Sequence, residues 1–257
     1  MKPVKCYASV IGGCSNEQSY EHYVSQGLFN NRLVTVQGQK WAKQPKTVGK
    51  DKIGLPILCT EHNKMLSPID IYGKKVFRML ESCLLAQHER YNFPRSRLWK
   101  VDKHLIKGLE FERWMVKAAI GVSFEEKTNK WHLGNSELLN PPKAIIEALF
   151  GIKTLNYPMG LYNIISPKDV IEIEDRVHLE TLLHPKTDGY MGSIISFRNF
   201  DFLIYLHDEN LSEYSFISPS GAEFGKGCNL QPQFHPPLFQ FNAKGKISSI
   251  INFDWNT

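Results

Sequence analysis

Long apolar runs are missing from this chain. No stretch reaches the roughly 18 consecutive apolar residues that a membrane-spanning helix needs, so no membrane partner is expected. Cysteine is also scarce, with five in 257 residues at irregular spacing, which is too few for a disulfide framework. A reducing cytoplasm is the expected setting, and clustered Cys and His there read as metal ligands. The opening MKPVKCYASVIGGCS has a basic start but only a very short apolar stretch, and reads as mature structure rather than a signal peptide. Internal repeats and low-complexity tracts are lacking. So are a GxSxG nucleophile elbow and a phosphate-binding P-loop, which leaves no ATP site in view; Ser218-Pro219-Ser220-Gly221 is only a turn.

What is present suits a globular protein of one large or two modest domains, 42% hydrophobic and 22% charged. The net charge of +5 is unevenly spread. Residues 1–117 hold 20 Lys and Arg against 10 Asp and Glu, whereas residues 118–257 hold 11 against 16. A basic first half suggests a polyanionic partner. The alternative is that these cations only solvate a helix face.

The pattern along the chain predicts an α+β fold in three parts: a Cys/His module over 1–75, a helical region over 76–154, and an antiparallel β-rich region over 155–257. Leu33 to Gln37 (LVTVQ) reads as a strand. Lys40 to Lys52 reads as an exposed basic loop, and Leu55 to Leu58 as a short apolar approach to Cys59. A short helix is expected from Thr60 to about Leu66. Ser67-Pro68 then supplies a cap and first-turn proline for the next helix, which Phe93-Pro94 ends. Gly108 to Phe124 and KAIIEALF, after Asn140-Pro141, are the other helices. VHLETLLH, GSIISFR, FDFLIYLHD, LFQFN and KISSIINFDW are strand-like, and FNAKGKIS is a hairpin turn with Gly245 available for positive φ.

Cys59 and His62 are three apart, a spacing that points both side chains to one side of a helical turn. They make half of a tetrahedral zinc site, and Cys6 and Cys14 would make the other half. The stretch CYASVIGGC is longer than the usual knuckle, but Gly12-Gly13 can let the chain double back. The alternative is that Cys6 and Cys14 are small core residues. Cys83 and Cys228 have no partner at useful spacing. Asn63 stands about 100° further round the helix than His62, so it faces another direction. Its amide oxygen and the Glu21 carboxylate are hard ligands suited to Mg²⁺ or Mn²⁺. The His22 imidazole beside such an ion could take a proton from water. Adjacent strand residues point to opposite faces, so Glu21 and His22 converge only at a strand end, bulge or bend.

The constellation Cys14…Glu21-His22…Cys59-x-x-His62-Asn63 resembles the HNH, or ββα-metal, endonucleases, over about residues 1–75. The resemblance implies a zinc-stabilised ββα module with Cys6, Cys14, Cys59 and His62 as the structural Zn²⁺ set. It implies His22 as general base, and Glu21 and Asn63 as ligands of one catalytic Mg²⁺ or Mn²⁺. It further implies hydrolysis of nucleic-acid phosphodiester bonds, DNA before RNA. GLEFERWMVK is similar to a helix downstream of this module in bacterial and phage-defence proteins, which implies an antiviral setting. Three features depart from the family: KIGLPILC has no middle Asn, the first cysteine spacing is long, and Glu stands where Asp is commoner. They keep open a catalytically inactive zinc-knuckle protein that binds nucleic acid or a partner subunit. A competing assignment puts His62 on the catalytic metal with no zinc at all.

Lys40, Lys43, Lys46, Lys50 and Lys52 surround Trp41 and are the candidate phosphate-backbone contacts, with a solvated loop as the alternative. Arg90, Arg95, Arg97, Lys100 and Lys103 interleave with Tyr91, Phe93 and Trp99, a pattern that suits unpaired bases or, more commonly, a core with snorkelling cations. His178, His184, His207 and His235 read as structural or surface histidines. The helical and β-rich parts are expected to set partner choice, a regulatory subunit or a homo-oligomer.

Overall fold

The structure, a computed structural model, describes residues 4–92, 100–125, 130–133, 136–138, 140–164, 176–197, 200–217, 223–228 and 232–256. Phe93, Arg95, Arg97, Trp99 and the Ser218–Gly221 turn lie outside them. The fold is α+β. Its strands are β1 (Gln18–Glu21), β2 (Leu33–Gln37), β3 (Lys46–Gly49), β4 (Leu55–Cys59), β5 (Asp102–Lys107), β6 (Trp131–Leu133), β7 (Ser136–Leu138), β8 (Gly160–Ile164), β9 (Arg176–Leu183), β10 (Tyr190–Phe197), β11 (Phe200–Tyr205), β12 (Ser215–Ile217), β13 (Glu223–Gly225), β14 (Gln233–Phe234), β15 (Leu238–Ala243) and β16 (Lys246–Asp254). Its helices among the described residues are α1 (Thr60–Asn92), α2 (Gly108–Glu125) and α3 (Lys143–Leu149).

Most strand pairs are antiparallel. The largest sheet runs β14-β8-β11-β10-β9-β2-β3, with β6 and β7 attached beside β10. β10, YMGSIISF, is buried at every position, which suits a strand covered on both faces. Three parallel pairings cross the sequence among the described residues: β2 joins β9, β16 joins β5, and β6 joins β10. The three sequence segments therefore share one hydrophobic core, which includes Val34, Phe77, Phe111, Phe202 and Phe253. Position 75 falls inside α1. The β15–β16 hairpin turns through Lys244 and Gly245, both at positive φ, as a two-residue primed turn requires.

Two local expectations are corrected. Thr60–Leu66 and the segment after Pro68 are one helix, with Pro68 in its interior. A proline there removes a backbone donor and crowds the preceding turn. The buried positions Leu66, Ile69, Gly73, Val76, Phe77, Leu80 and Leu84 nevertheless keep helical spacing straight through it. Gly73 is the close-contact point: a Cβ there would lie 2.5 Å from the Trp114 ring of α2. The stretch Lys40–Lys52 is likewise more than a loop, because Lys46–Gly49 forms β3 and pairs with β2.

α2 lies at the centre, buried on nearly all sides, with Phe111 and Trp114 packed against Phe77 of α1. Phe77 also meets Phe197 and Phe202 of the large sheet. Phe77→Ala is therefore expected to cost about 3–5 kcal/mol of unfolding free energy, by lost transfer energy plus the cavity left behind. Leu105→Ala, at a site 65% exposed, should stay within about 0.5 kcal/mol. Urea denaturation of both variants checks this.

Candidate metal cluster and hydrolytic site

β1 and β4 pair antiparallel, and β4 runs directly into α1. Cys6 stands just before a 3₁₀ turn, Tyr7–Ile11. The chain then reverses through Gly12 and Gly13, with φ of 77° and 74°, a left-handed conformation that side chains with a Cβ rarely adopt. This delivers Cys14 to the same place as Cys6. Cys59 ends β4, and its Sγ accepts the His62 N–H at 3.5 Å, so the sulfur stands where an N-capping group would.

His62 Nδ1 lies 3.2 Å from Cys6 Sγ, 3.2 Å from Cys59 Sγ and 3.6 Å from Cys14 Sγ. All four ligand atoms fall within 4.8 Å of one another. Tetrahedral zinc with ordinary Zn–S and Zn–N bonds has ligand edges of roughly 3.5 Å, so the cluster could hold a metal ion such as zinc. His62 is buried and meets Phe150 edge-on, with centroids 5.4 Å apart. Burial pushes the Cys6 thiol up to about 12. Burial acts on Cys59 in the same direction, but the backbone N–H groups of His62 and Ser15 outweigh it and draw that thiol down to about 6. The competing assignment, which puts His62 on the catalytic metal with no zinc at all, does not match this grouping of His62 with three cysteines. Cys83 is packed in the core, and Cys228 lies outside the cluster.

The end of β1 carries the other candidates. Its register slips between Ser19 and Glu21, the irregularity that adjacent functional residues on a strand require. Glu21 turns inward, 2% exposed, and its Oε1 pairs with Lys117 Nζ of α2 at 2.5 Å. Burial pushes its carboxyl up to about 7, with Lys117 acting against that shift. The half-buried His22 ring goes elsewhere. Gln26 Nε2 donates to His22 Nε2 at 2.8 Å, and the ring also hydrogen-bonds the Asp51 backbone. An amide nitrogen can only donate, so His22 Nε2 holds a lone pair and the ring is neutral with its proton on Nδ1. Burial favours that form by lowering the imidazole pKa, while the Asp51 bond opposes it. Asn63 Nδ2 donates to Ser19 Oγ at 2.6 Å and to the Tyr20 carbonyl at 3.3 Å, which leaves the amide oxygen as its remaining acceptor.

The structure thus gathers Glu21, His22 and Asn63 around one strand end, yet points their side chains at three different partners. Gly54 packs against this end; a Cβ there would lie 2.5 Å from the Glu21 carbonyl. A cavity of about 270 Å³ opens beside His22, with Gln26, Asp70 and Lys74 in its wall. Comparison of the chain finds no matching family model, no matching curated protein and no matching solved structure.

The basic candidates divide. Lys40, Lys43, Lys46 and Lys52 are exposed and Lys50 is half-buried. Lys46 lies over the Trp41 ring at 5.5 Å, and Lys52 pairs with Asp51 at 3.6 Å. Lys50 and Lys52 flank the Asp51 backbone that touches His22, so the basic hairpin runs into the site. Arg90 is structural: it donates to the Ser248 and Lys100 carbonyls and pairs with Asp102 at 3.1 Å. Lys100 and Lys103 are exposed. His184 accepts from the backbone of Lys186 and Thr187, and His178 lies 3.7 Å from Glu180. His207 is buried. His235 stacks between Phe234 and Trp255, each at 3.9 Å, and pairs with Glu112 at 2.8 Å. No helix among the described residues is long and apolar enough to cross a membrane.

Sequence reasoning missed Lys117, which pairs with Glu21, and Asp70 and Ser25, which hold the far side of that ammonium's network. The available signal was a lysine inside the otherwise apolar run WMVKAAIG of α2, since Lys is rarely buried unless paired.

For the cluster, one zinc per chain is expected by elemental mass spectrometry. Cys59→Ser and His62→Ala should lose it, whereas Cys83→Ser and Cys228→Ser should retain it.

Proposed function

We propose that this chain is an HNH-type endonuclease whose metal cluster is a structural zinc site and whose general base is His22. The supporting observation is the strand–strand–helix arrangement. It sets a neutral imidazole, with its lone pair on Nε2, against a cavity walled by Gln26, Asp70 and Lys74, while the Asp51 backbone of the Lys50–Lys52 turn touches the same ring. DNA is the preferred substrate and antiviral defence the preferred setting, both from the family resemblance alone.

In this reading Lys50, Lys52 and the exposed lysines of the β2–β3 hairpin hold the phosphate backbone. A water displaces the Gln26 amide at His22 Nε2 and gives up its proton there. Its oxygen forms the new bond to phosphorus as the ester P–O bond breaks; the leaving oxygen takes a proton from solvent, and His22 then releases its own proton to solvent. A Mg²⁺ or Mn²⁺ ion on Glu21 and Asn63 would stabilise the charge on the phosphate and leaving oxygen. As arranged, those residues do not fit such an ion, because the Glu21 oxygen is already paired with Lys117.

That pair and the absent middle Asn favour a second reading, a zinc-knuckle protein that binds nucleic acid without cutting it. Plasmid and single strands incubated with purified protein, with Mn²⁺ or with EDTA, separate the two. The first reading expects cleavage, and His22→Ala should slow it about 10²–10⁴-fold while leaving binding intact. Salt-sensitive binding with no cleavage in any condition supports the second and overturns the first.

A further inference from the structure

Lys117 reaches the site from α2, 95 residues after His22, and its side chain is 1% exposed. Its ammonium meets three oxygens: it donates to Asp70 Oδ1 at 2.5 Å and to the His22 carbonyl at 3.1 Å, and it forms an ion pair with Glu21 Oε1 at 2.5 Å outside hydrogen-bond geometry. Asp70 Oδ1 is further held by the Ser25 hydroxyl, which in turn accepts the Trp114 indole N–H at 2.8 Å. Two carboxylates and a backbone carbonyl are a hard oxygen set, the chemistry that Mg²⁺ and Mn²⁺ take. Here a protein cation fills it.

We propose that Lys117 is the resident cation of this site. Its ammonium occupies an oxygen cage that would otherwise take a divalent ion. By gripping the His22 carbonyl it also fixes the strand end that carries the imidazole, which makes it a positioning residue. A divalent ion gains the Glu21 carboxylate only when the ammonium is gone. The inference deepens the hydrolytic reading, on which it rests for the role of His22; cation exchange in the cage is measured apart from hydrolysis.

The test is a titration of the zinc-loaded protein with Mn²⁺, followed by electron paramagnetic resonance of the free ion. The wild type should take up no Mn²⁺ that depends on Glu21. Lys117→Met should gain one Mn²⁺ per chain, and adding Glu21→Gln to it should remove that gain. Two results overturn the proposal: uptake by the wild type that Glu21→Gln abolishes, or no uptake by a folded Lys117→Met. If Lys117→Met fails to fold, the wild type decides alone by nuclear magnetic resonance of its lysine ammonium groups. A slowly exchanging Lys117 signal that millimolar Mg²⁺ leaves in place supports the resident cation. Loss of that signal on adding Mg²⁺, or its absence from the start, overturns it. No arm reads cleavage, so a protein that fails to cut is told apart from one whose cage admits the divalent ion.

Discussion

The pairing of β1 with β4 is the contact on which the candidate site depends, and it is too small to hold by itself. The two strands have four and five residues, and an isolated two-stranded ribbon of that size is marginal in water. The Cys6, Cys14, Cys59 and His62 cluster closes one end of it. Two ligands come from the segment before β1, one ends β4 and one stands in the first turn of α1. A metal ion there would convert four separately placed side chains into one rigid corner, because binding energy at such a site is also folding energy. That corner would set the angle at which α1 leaves β4, and so where Asn63 and Asp70 stand relative to Glu21 and His22.

The opposite end is closed by α2 rather than by a metal. Trp114 fits against Gly73, where no larger residue is tolerated without a shift, and donates to Ser25. One turn further on, Lys117 neutralises Glu21 and Asp70 in a setting where an uncompensated charge would be costly. The same helix therefore supplies the hydrophobic anchor and the counter-charge. The imidazole of His22 lies between these two fixed ends, kept neutral by burial and oriented by Gln26 and Asp51. One polar group in this region differs: Asn63 keeps an oxygen available beside the strand while its nitrogen fastens the helix to β1.

Local chemistry made part of this legible. Gly12-Gly13 announced a tight reversal, and the i, i+3 spacing of Cys59 and His62 announced a shared ligand position. LVTVQ, the β15–β16 hairpin and the long helices followed from periodicity and turn residues. What stayed hidden came from distance along the chain. β1 is four residues long and alternates too briefly to stand out, and Lys117 meets Asp70 across 47 positions. The parallel pairing of β2 with β9 joins the first segment of the sequence to the third, and all three compositionally distinct segments share one core. Pro68 looked like a helix start because proline favours that place. The apolar stripe from Leu66 to Leu84 carries the helix through it, since tertiary burial outweighs local propensity.

The most direct test of the account is X-ray absorption at the zinc edge of the purified protein. A first shell of three sulfurs near ~2.3 Å and one nitrogen near ~2.0 Å is predicted, the nitrogen lost in His62→Ala. A protein that folds with no zinc, or whose zinc shell holds oxygen in place of the cysteine sulfurs, would contradict the claim that this cluster fastens the site.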